Sequence, residues 1–278
     1  MTPTIAGLFV YPVKSCKGLS VHSAQLGARG LLRDREWVIV GAGSEPARFL
    51  TQREFPRLAL IETGLAESAL MLSAPGMVPI AVDYDLDGTS RDVVVWRDTV
   101  RAIDQGDLVA AWLSTFIGSA VRLARFDPDF IRLCNREYAG ASGAHTGFAD
   151  GYPLLVIGGA SLDDLNGRLQ RRGAAALPIN RFRPNLVIDG LESYDEDHLA
   201  SLTCGEVTIR LVKPCVRCQI TTTDQTSAEV GHEPLRTLAG YRNNARLGGV
   251  TFGMNAIVTS GIGSTLRVGA DVLPEWAF

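Results

Sequence analysis

The sequence predicts a mostly β protein with a few helices, of the α+β class, divided into two domains. Three observations carry that expectation. Short apolar or alternating runs separated by turns recur through the first 105 residues, which suggests a barrel or a sandwich. Only two or three stretches combine helical composition with start and stop signals. The texture then breaks after Phe126, where Asp127–Asp150 mixes charge, Gly and Ala without a sustained period and reads as a long loop and domain junction. With 278 residues and roughly 150 per domain, two domains are expected, at 1–125 and 126–278.

In order along the chain, Thr4–Val10 reads as a strand, Tyr11–Gly18 as a polar loop and Leu19–Leu26 as a weakly alternating strand. Glu36–Val40 is a short apolar run closed by Gly41-Ala-Gly43, a turn signal. Leu58–Glu62, Ala69–Ser73, Val78–Val82 and Asp92–Arg97 are further short strands. Asp107–Gly118 is predicted as a helix with Asp107 as N-cap and Gly118 as its stop. Val121–Phe126 and, beyond the long loop, Pro153–Ile157 read as strands. Ser161-Leu-Asp-Asp164 fits a capping box opening a helix that ends at Gly173. Asn185–Ile188, Val207–Val212, Gln219–Thr223, Phe252–Thr259 and Thr265–Val268 are predicted strands, with a helix at Glu233–Tyr241.

Apolar residues at 46% and charged residues at 21% exclude a disordered chain, and a net charge of -3 gives no basic footprint for nucleic acid. The first residues lack a basic region followed by an apolar core, and the longest uncharged stretch, Leu108–Val121, falls short of the roughly 20 residues a spanning helix needs. A cytoplasmic protein with no membrane partner is expected. Five cysteines, an odd number, argue against a disulfide framework. Only Lys14, Lys17 and Lys213 are lysines among 27 basic residues, which makes them candidates for positions where a compact ammonium is needed rather than a planar fork, with chance survival as the alternative.

Four segments concentrate chemistry. Tyr11-Pro-Val-Lys-Ser-Cys-Lys-Gly18 offers amides, a hydroxyl and ammonium groups to an anion such as phosphate, without Walker spacing. In Leu31–Trp37, strand geometry would set Arg33 and Arg35 on one side and Asp34 and Glu36 on the other, with one arginine able to reach that anion; a surface ion-pair strip is the alternative. Asn180-Arg-Phe-Arg-Pro-Asn185 crowds donors at the start of an apolar strand, and Pro184 should hold Arg183 extended. Lys213-Pro-Cys-Val-Arg-Cys218 holds the third lysine and the one close cysteine pair. No second Cys/His pair stands at zinc-finger spacing, and the β-branched Ile-Thr-Thr-Thr run that follows suggests a strand rather than the helix of a thioredoxin-like dithiol. What remains is a single thiolate favoured by Lys213 and Arg217, as nucleophile or soft-metal ligand, or an inert buried pair. His145, Thr146 and Asp150 in the long loop and Asn255 in an apolar strand are lesser candidates.

Five stretches in order, Tyr-Pro-Val-Lys-Ser-Cys-Lys-Gly, Arg-Asp-Arg-x-Trp, Asp150-Gly-Tyr-Pro, Arg-Phe-Arg-Pro-Asn and Cys-x-Arg-Cys-x-x-Thr-Thr-x-Asp, resemble the MOSC family nearly end to end, in particular its amidoxime-reducing branch. The resemblance implies an N-terminal β-barrel domain packed on a C-terminal MOSC β-barrel domain, and a molybdenum cofactor (Mo-molybdopterin). By position it implies Cys218 as the metal thiolate and, with Asp150, the catalytic pair. Lys14, Ser15, Arg35, Arg183 and Asn185 become cofactor contacts, Val216 and Arg217 flank the metal ligand, and Asn255 falls beside the cofactor. Val216 and Asn255 depart from the family's usual residues, a small polar one and, in an animal relative, Tyr. The implied reaction removes oxygen from N-hydroxylated small molecules. A C-terminal ferredoxin domain found in some bacterial relatives has no counterpart in this sequence, so electrons are expected from a separate donor protein of ferredoxin or cytochrome b5 type with a reductase. A cofactor carrier or sulfur-transfer module is the alternative.

Overall fold

Ile5, Leu8 and Val10 are the buried positions of the strand Thr4–Val10, and the uneven step from Ile5 to Leu8 marks a bulge between Ile5 and Gly7. In the computed structural model, which describes residues 2–43, 45–85 and 87–277, this strand joins the sheet of the second half. It lies antiparallel to Leu186–Asp189 on one side and to Leu19–Val21 on the other. The sheet continues through Leu154–Gly158, Gly249–Ser260, Val207–Val216, Leu199–Cys204 and Leu273–Trp276, with Asn243–Asn244 beside Gly249–Ser260. Leu154–Gly158 and Leu186–Asp189 run parallel, and the helix Gly159–Arg171 makes the crossover such a pair requires. Both faces of Leu154–Gly158 are buried. Leu154 and Val156 join one core with Ile5, Leu8 and Ile209, while Leu155 and Ile157 join another with Leu165, Phe182 and Phe252. That double burial explains its unbroken apolar run.

A second sheet orders Trp37–Gly41, Val121–Phe126, Asp98–Asp104, Ser90–Val95 and Ala47–Arg48. A three-stranded sheet of Glu62–Leu65, Ala69–Ser73 and Ile80–Asp83 shares a core with the helix Asp107–Ile117, through Leu70, Leu72, Val109 and Leu113. The molecule is therefore mostly β with a few helices. No helix among the described residues is long and apolar enough to cross a membrane.

Several local expectations give way to packing. Pro56 opens a 3-10 turn over Pro56–Leu60, so the strand placed at Leu58 begins at Glu62 instead. Gly106, at φ +86, is the N-cap of the first helix and Asp107 its first residue; Gly118, at φ +77, ends it as expected. Ser161 lies inside its helix rather than capping it: the helix starts at Gly159, and the Ser161 hydroxyl donates to the fully buried Glu196 at 2.7 Å. The expected Gln219–Thr223 strand is a 3-10 turn, Gln219–Thr222, because the Thr221 and Thr222 hydroxyls donate to the carbonyls of Cys218 and Gln219 at 3.0 and 2.8 Å. Leu19–Leu26 breaks at His22, and the helix at Glu233–Tyr241 shrinks to Leu235–Leu238. The strands Asp98–Asp104, Leu199–Cys204 and Leu273–Trp276 were not foreseen.

Candidate functional site

A cavity of about 310 Å³ opens where the two halves meet. Lys14 and Ser15 reach it from the first loop, Arg35 from the following turn and Asp150 from the long loop. Arg183 and Asn185 reach it from the start of their strand, Val216, Arg217 and Cys218 from the cysteine segment, and Asn255 from the central strand. The ten residues that the family resemblance assigns to the site thus line one space, whereas Lys17, Arg33, His145 and Thr146 do not line it. Seven non-glycine residues among those described have positive φ, and four of them, Ser15, Arg35, Trp96 and Arg183, line the cavity. Backbone strain gathered at one place is a mark of a functional site.

The first loop is set by Tyr11. A Cβ on Gly18 would stand 2.2 Å from the Tyr11 ring, so only glycine closes the loop there. The Lys14 backbone N–H donates to the Trp37 carbonyl at 2.8 Å, and the buried side chain turns inward. Its ammonium donates to the Phe148 carbonyl at 2.7 Å and to Asp150 Oδ1 at 2.5 Å. Burial lowers the Lys14 pKa, and the Asp150 charge opposes that. For Asp150, burial works to raise the carboxyl, but the Lys14 charge and the hydrogen bonds from Lys14 and Trp96 outweigh it and hold the group well below the usual carboxylate range. Its side chain opens into the cavity at 66% exposure, so the ammonium beside it decides the direction.

Arg35 and Arg183 flank the Tyr11 ring at 4.4 and 4.3 Å. Arg35 donates to Asp34, to Asn185 Oδ1 at 2.9 Å and to the Arg183 carbonyl at 3.1 Å. Arg183 donates to the Cys16 carbonyl at 2.6 Å. Burial lowers Arg183 to about 10, which leaves it cationic at neutral pH, and raises Tyr11 to about 12. The Tyr11 hydroxyl is buried without a partner. Asn185 ties Phe9 to Leu155: its Nδ2 donates to the Phe9 carbonyl at 3.1 Å and its Oδ1 accepts from the Leu155 N–H at 3.1 Å. Two expectations are corrected. Residues 32–35 form a turn, not a strand, so Arg33 pairs with Glu36 and faces Tyr84 while Arg35 faces the cavity. Arg183 is left-handed at φ +57 rather than extended; it lies in the short link between the turn Ile179–Arg181 and the strand Leu186–Asp189, where its bond to the Cys16 carbonyl and the Arg35 bond to its own carbonyl override the preference before proline.

The cysteine segment ends the strand Val207–Val216, which runs beside Gly249–Ser260 with register breaks at Leu211/Lys213 and Pro214/Val216. Asn255 donates to the Lys213 carbonyl at 3.2 Å. Cys215 and Cys218 are both free thiols, each partly buried. The cations expected around Cys218 are held elsewhere: Arg217 donates to Cys215 Sγ at 3.0 Å and to the Phe182 carbonyl at 2.5 Å, and the Lys213 ammonium stands 4.6 Å from the centre of the Tyr138 ring. No described residue hydrogen-bonds the Cys218 sulfur. Arg217 Nε is buried without a partner among the described residues. Soft sulfur with no protein partner, an unpaired guanidinium N–H and a majority of cations suit an anionic group that carries a soft metal.

Sequence reasoning missed the wall of Phe49 and Trp96, and the fully buried Gln52 behind it. Gln52 donates to the Ser15 carbonyl at 2.6 Å and exchanges hydrogen bonds with Gln225 at 3.0 and 3.2 Å. This amide pair ties the lysine loop to the segment after Cys218. No local signal marks a polar residue as a long-range brace; Trp96 had one, a large aromatic at the tip of an alternating pair of runs.

Comparison with known proteins agrees with this architecture. A family model described as the MOSC N-terminal beta barrel domain matches residues 2–120, and one described as the MOSC domain matches residues 143–273. The chain belongs to the MOSC family. It is 36% identical over 251 residues to mitochondrial amidoxime reducing component 2 of Rattus norvegicus, covering 86% of this chain and 72% of that one. With mitochondrial amidoxime-reducing component 1 of Mus musculus it is 36% identical over 249 residues, covering 86% and 71%. With the molybdenum cofactor sulfurase of Danio rerio it is 33% identical over 291 residues, which is 98% of this chain but 34% of that one.

Proposed function

We propose that the protein is a molybdenum-cofactor-dependent reductase of N-hydroxylated compounds (amidoximes, hydroxylamines and N-hydroxylated bases). The N-bound oxygen leaves as water, with electrons from a separate donor protein. The observation that carries this reading is the meeting of an unpartnered Cys218 thiol with Lys14, Arg35, Arg183 and Arg217 around one cavity. The names of the amidoxime-reducing relatives supply the substrate class, and that of the sulfurase relative supplies the cofactor.

In this reading Cys218 is the protein's thiolate ligand to molybdenum. When bound, the cofactor supplies a metal able to accept an oxygen atom and exchange two electrons. Lys14, Arg35 and Arg183 hold its anionic end; Ser15 and Asn185 fix the loops that carry those cations; Val216, Arg217 and Asn255 border the ligand sulfur. Asp150, kept ionised by Lys14, accepts an N–H from substrate and orients it. Its depressed pKa makes it an acceptor at neutral pH, not a proton donor. Metal and pterin analysis of the purified protein, paired with reduction of benzamidoxime from an artificial electron donor, tests the proposal. Molybdenum and turnover are expected together, and absence of both metal and pterin would refute it.

The near-complete coverage of this chain by a cofactor sulfurase supports a second reading, a cofactor carrier or sulfur-transfer module. Cofactor-loaded protein that fails to reduce benzamidoxime would favour it.

A further inference from the structure

The turn between Ser90–Val95 and Asp98–Asp104 is two residues long, with Val95 opposite Asp98. Its first residue, Trp96, is held at φ +58. Such positions ordinarily take glycine, asparagine or aspartate, because a bulky side chain at positive φ is strained. A strained indole that filled a core would need no other explanation, but Trp96 remains 41% exposed. It is nevertheless fixed from three directions. Its Nε1 donates to Asp150 Oδ1 at 3.0 Å, Phe49 meets it edge-on at 5.0 Å, and the Arg53 guanidinium sits over its ring at 4.9 Å. Phe49 and Trp96 line the cavity that Cys218 lines. Asp150 Oδ1 is occupied by Lys14 and Trp96, while no described residue donates to Oδ2.

We propose that Trp96 is a specificity-determining residue: with Phe49 it forms an aromatic wall on which a flat conjugated substrate rests while Asp150 Oδ2 accepts the substrate N–H. The class selected is aryl amidoximes and N-hydroxylated heterocyclic bases, over aliphatic amidoximes and hydroxylamine. Planar rings gain from offset or edge contact with an indole, and a small aliphatic group has no face to offer. The inference rests on the reductase reading for its reaction, but the wall is a binding feature that can be measured without turnover.

The test uses calorimetric binding of benzamidoxime and acetamidoxime without reductant, and kcat/KM for both with an artificial donor. The variants are Trp96→Gly, which suits the positive φ and should fold with an unchanged or higher Tm, and Trp96→Phe, which keeps a ring but loses the N–H to Asp150. Wild type should prefer benzamidoxime in both measurements. Trp96→Gly should weaken benzamidoxime by about tenfold and acetamidoxime by less than about twofold, the scale of one aromatic contact. Trp96→Phe should keep most of the preference. Equal losses for both amidoximes in Trp96→Gly, or a Trp96→Phe variant as impaired as Trp96→Gly, would reduce Trp96 to a clamp on Asp150 and overturn the proposal. Failure of the reductase reading shows differently: molybdenum-loaded wild type would turn over neither amidoxime, and the calorimetric preference would still decide the wall.

Discussion

The Lys14 side of the cavity and the Cys218 side differ in how far the protein satisfies its own polar groups. On the first, Lys14, Arg35, Arg183 and Asn185 each bond to backbone carbonyls or to a partner side chain, and Gln52 and Gln225 lock the loop from behind, the buried Tyr11 hydroxyl being the exception. On the second, the Cys218 sulfur has no described partner, Arg217 Nε is buried and unpaired, and Val216 is 39% exposed. A site whose donors are already satisfied is preorganised: it holds its shape before a ligand arrives and presents charge without rearrangement. A side with open valences is shaped for whatever completes it. The first side is thus expected to matter for folding as well as for placing the ligand's anionic end, the second chiefly for ligating what binds.

The sharpest break between them is Cys218→Ser. A hard hydroxyl replaces the soft ligand in a partly buried position with no partner among the described residues, so benzamidoxime turnover should fall by about a thousandfold or more, as for loss of a group on which the site's chemistry depends. Tm should move little, within the roughly ±0.5 kcal/mol of a substitution that breaks no internal contact. Retained turnover would remove Cys218 as ligand.

Gln52→Leu reverses that profile. It strands the Ser15 carbonyl and Gln225 in a buried setting, at about 1–3 kcal/mol per unsatisfied group. Chemical denaturation should show the loss, and Gln52→Leu/Gln225→Leu should recover part of it, since an apolar pair leaves fewer orphans. A variant as stable as wild type would mean that the amide brace is not what holds the loop.

Asp150→Asn comes next. It leaves the Lys14 ammonium buried without its counter-charge, and because the carboxylate opens to the cavity the cost is discounted to about 1–2 kcal/mol. The sign with pH is fixed by direction. The native Asp150 pKa is depressed, so its contribution is fully present above the unfolded value of about 3.9 and fades as pH falls through the native one. Wild type and Asp150→Asn should therefore converge in stability under acid. A lowered Lys14 pKa gives the same slope over a higher range: the unfolded chain binds more protons there, and the penalty is relieved as pH rises toward the unfolded lysine value, so the Asn variant should gain stability toward alkaline pH. A difference between the two proteins that is flat from acid to neutral pH would sink the ion-pair account.

The same contrast explains what the sequence revealed. Residue types around a ligand are dictated by chemistry, so Lys14, Lys213, the Arg-Phe-Arg-Pro-Asn run and the cysteine pair stood out in the sequence and line one cavity, while Lys17, singled out with them, pairs with Glu62 instead. The apolar alternation of Thr4–Val10 and Ala69–Ser73 likewise read through. What did not read through was decided at a distance. Arg183 is extended by local rule and left-handed in fact, and Thr221–Thr222 look β-branched yet turn because their hydroxyls find nearby carbonyls. Asp98–Asp104 hides its alternation because two of its three buried positions, Val100, Ala102 and Asp104, are a small residue and a carboxylate, and Asp104 is kept there by Arg122. The brace of Gln52 on Gln225 spans 173 residues and leaves no local trace.

The smallest expected effect tests the boundary between the two sides. Cys215 lines the cavity three residues from Cys218, but its sulfur accepts from Arg217 and so belongs, by the criterion of satisfied groups, with the preorganised side. Cys215→Ser keeps an acceptor for that guanidinium with a smaller atom. Molybdenum content and turnover should stay within about twofold, and stability within about 0.5 kcal/mol, as for a near-isosteric change at a partly exposed position. Cys215→Val, which removes the acceptor, should cost more than Cys215→Ser, because Arg217 already carries one unpaired buried N–H and would gain a second. If Cys215→Ser instead loses turnover as completely as Cys218→Ser, the two thiols act as a pair and the division drawn between the sides fails at this residue.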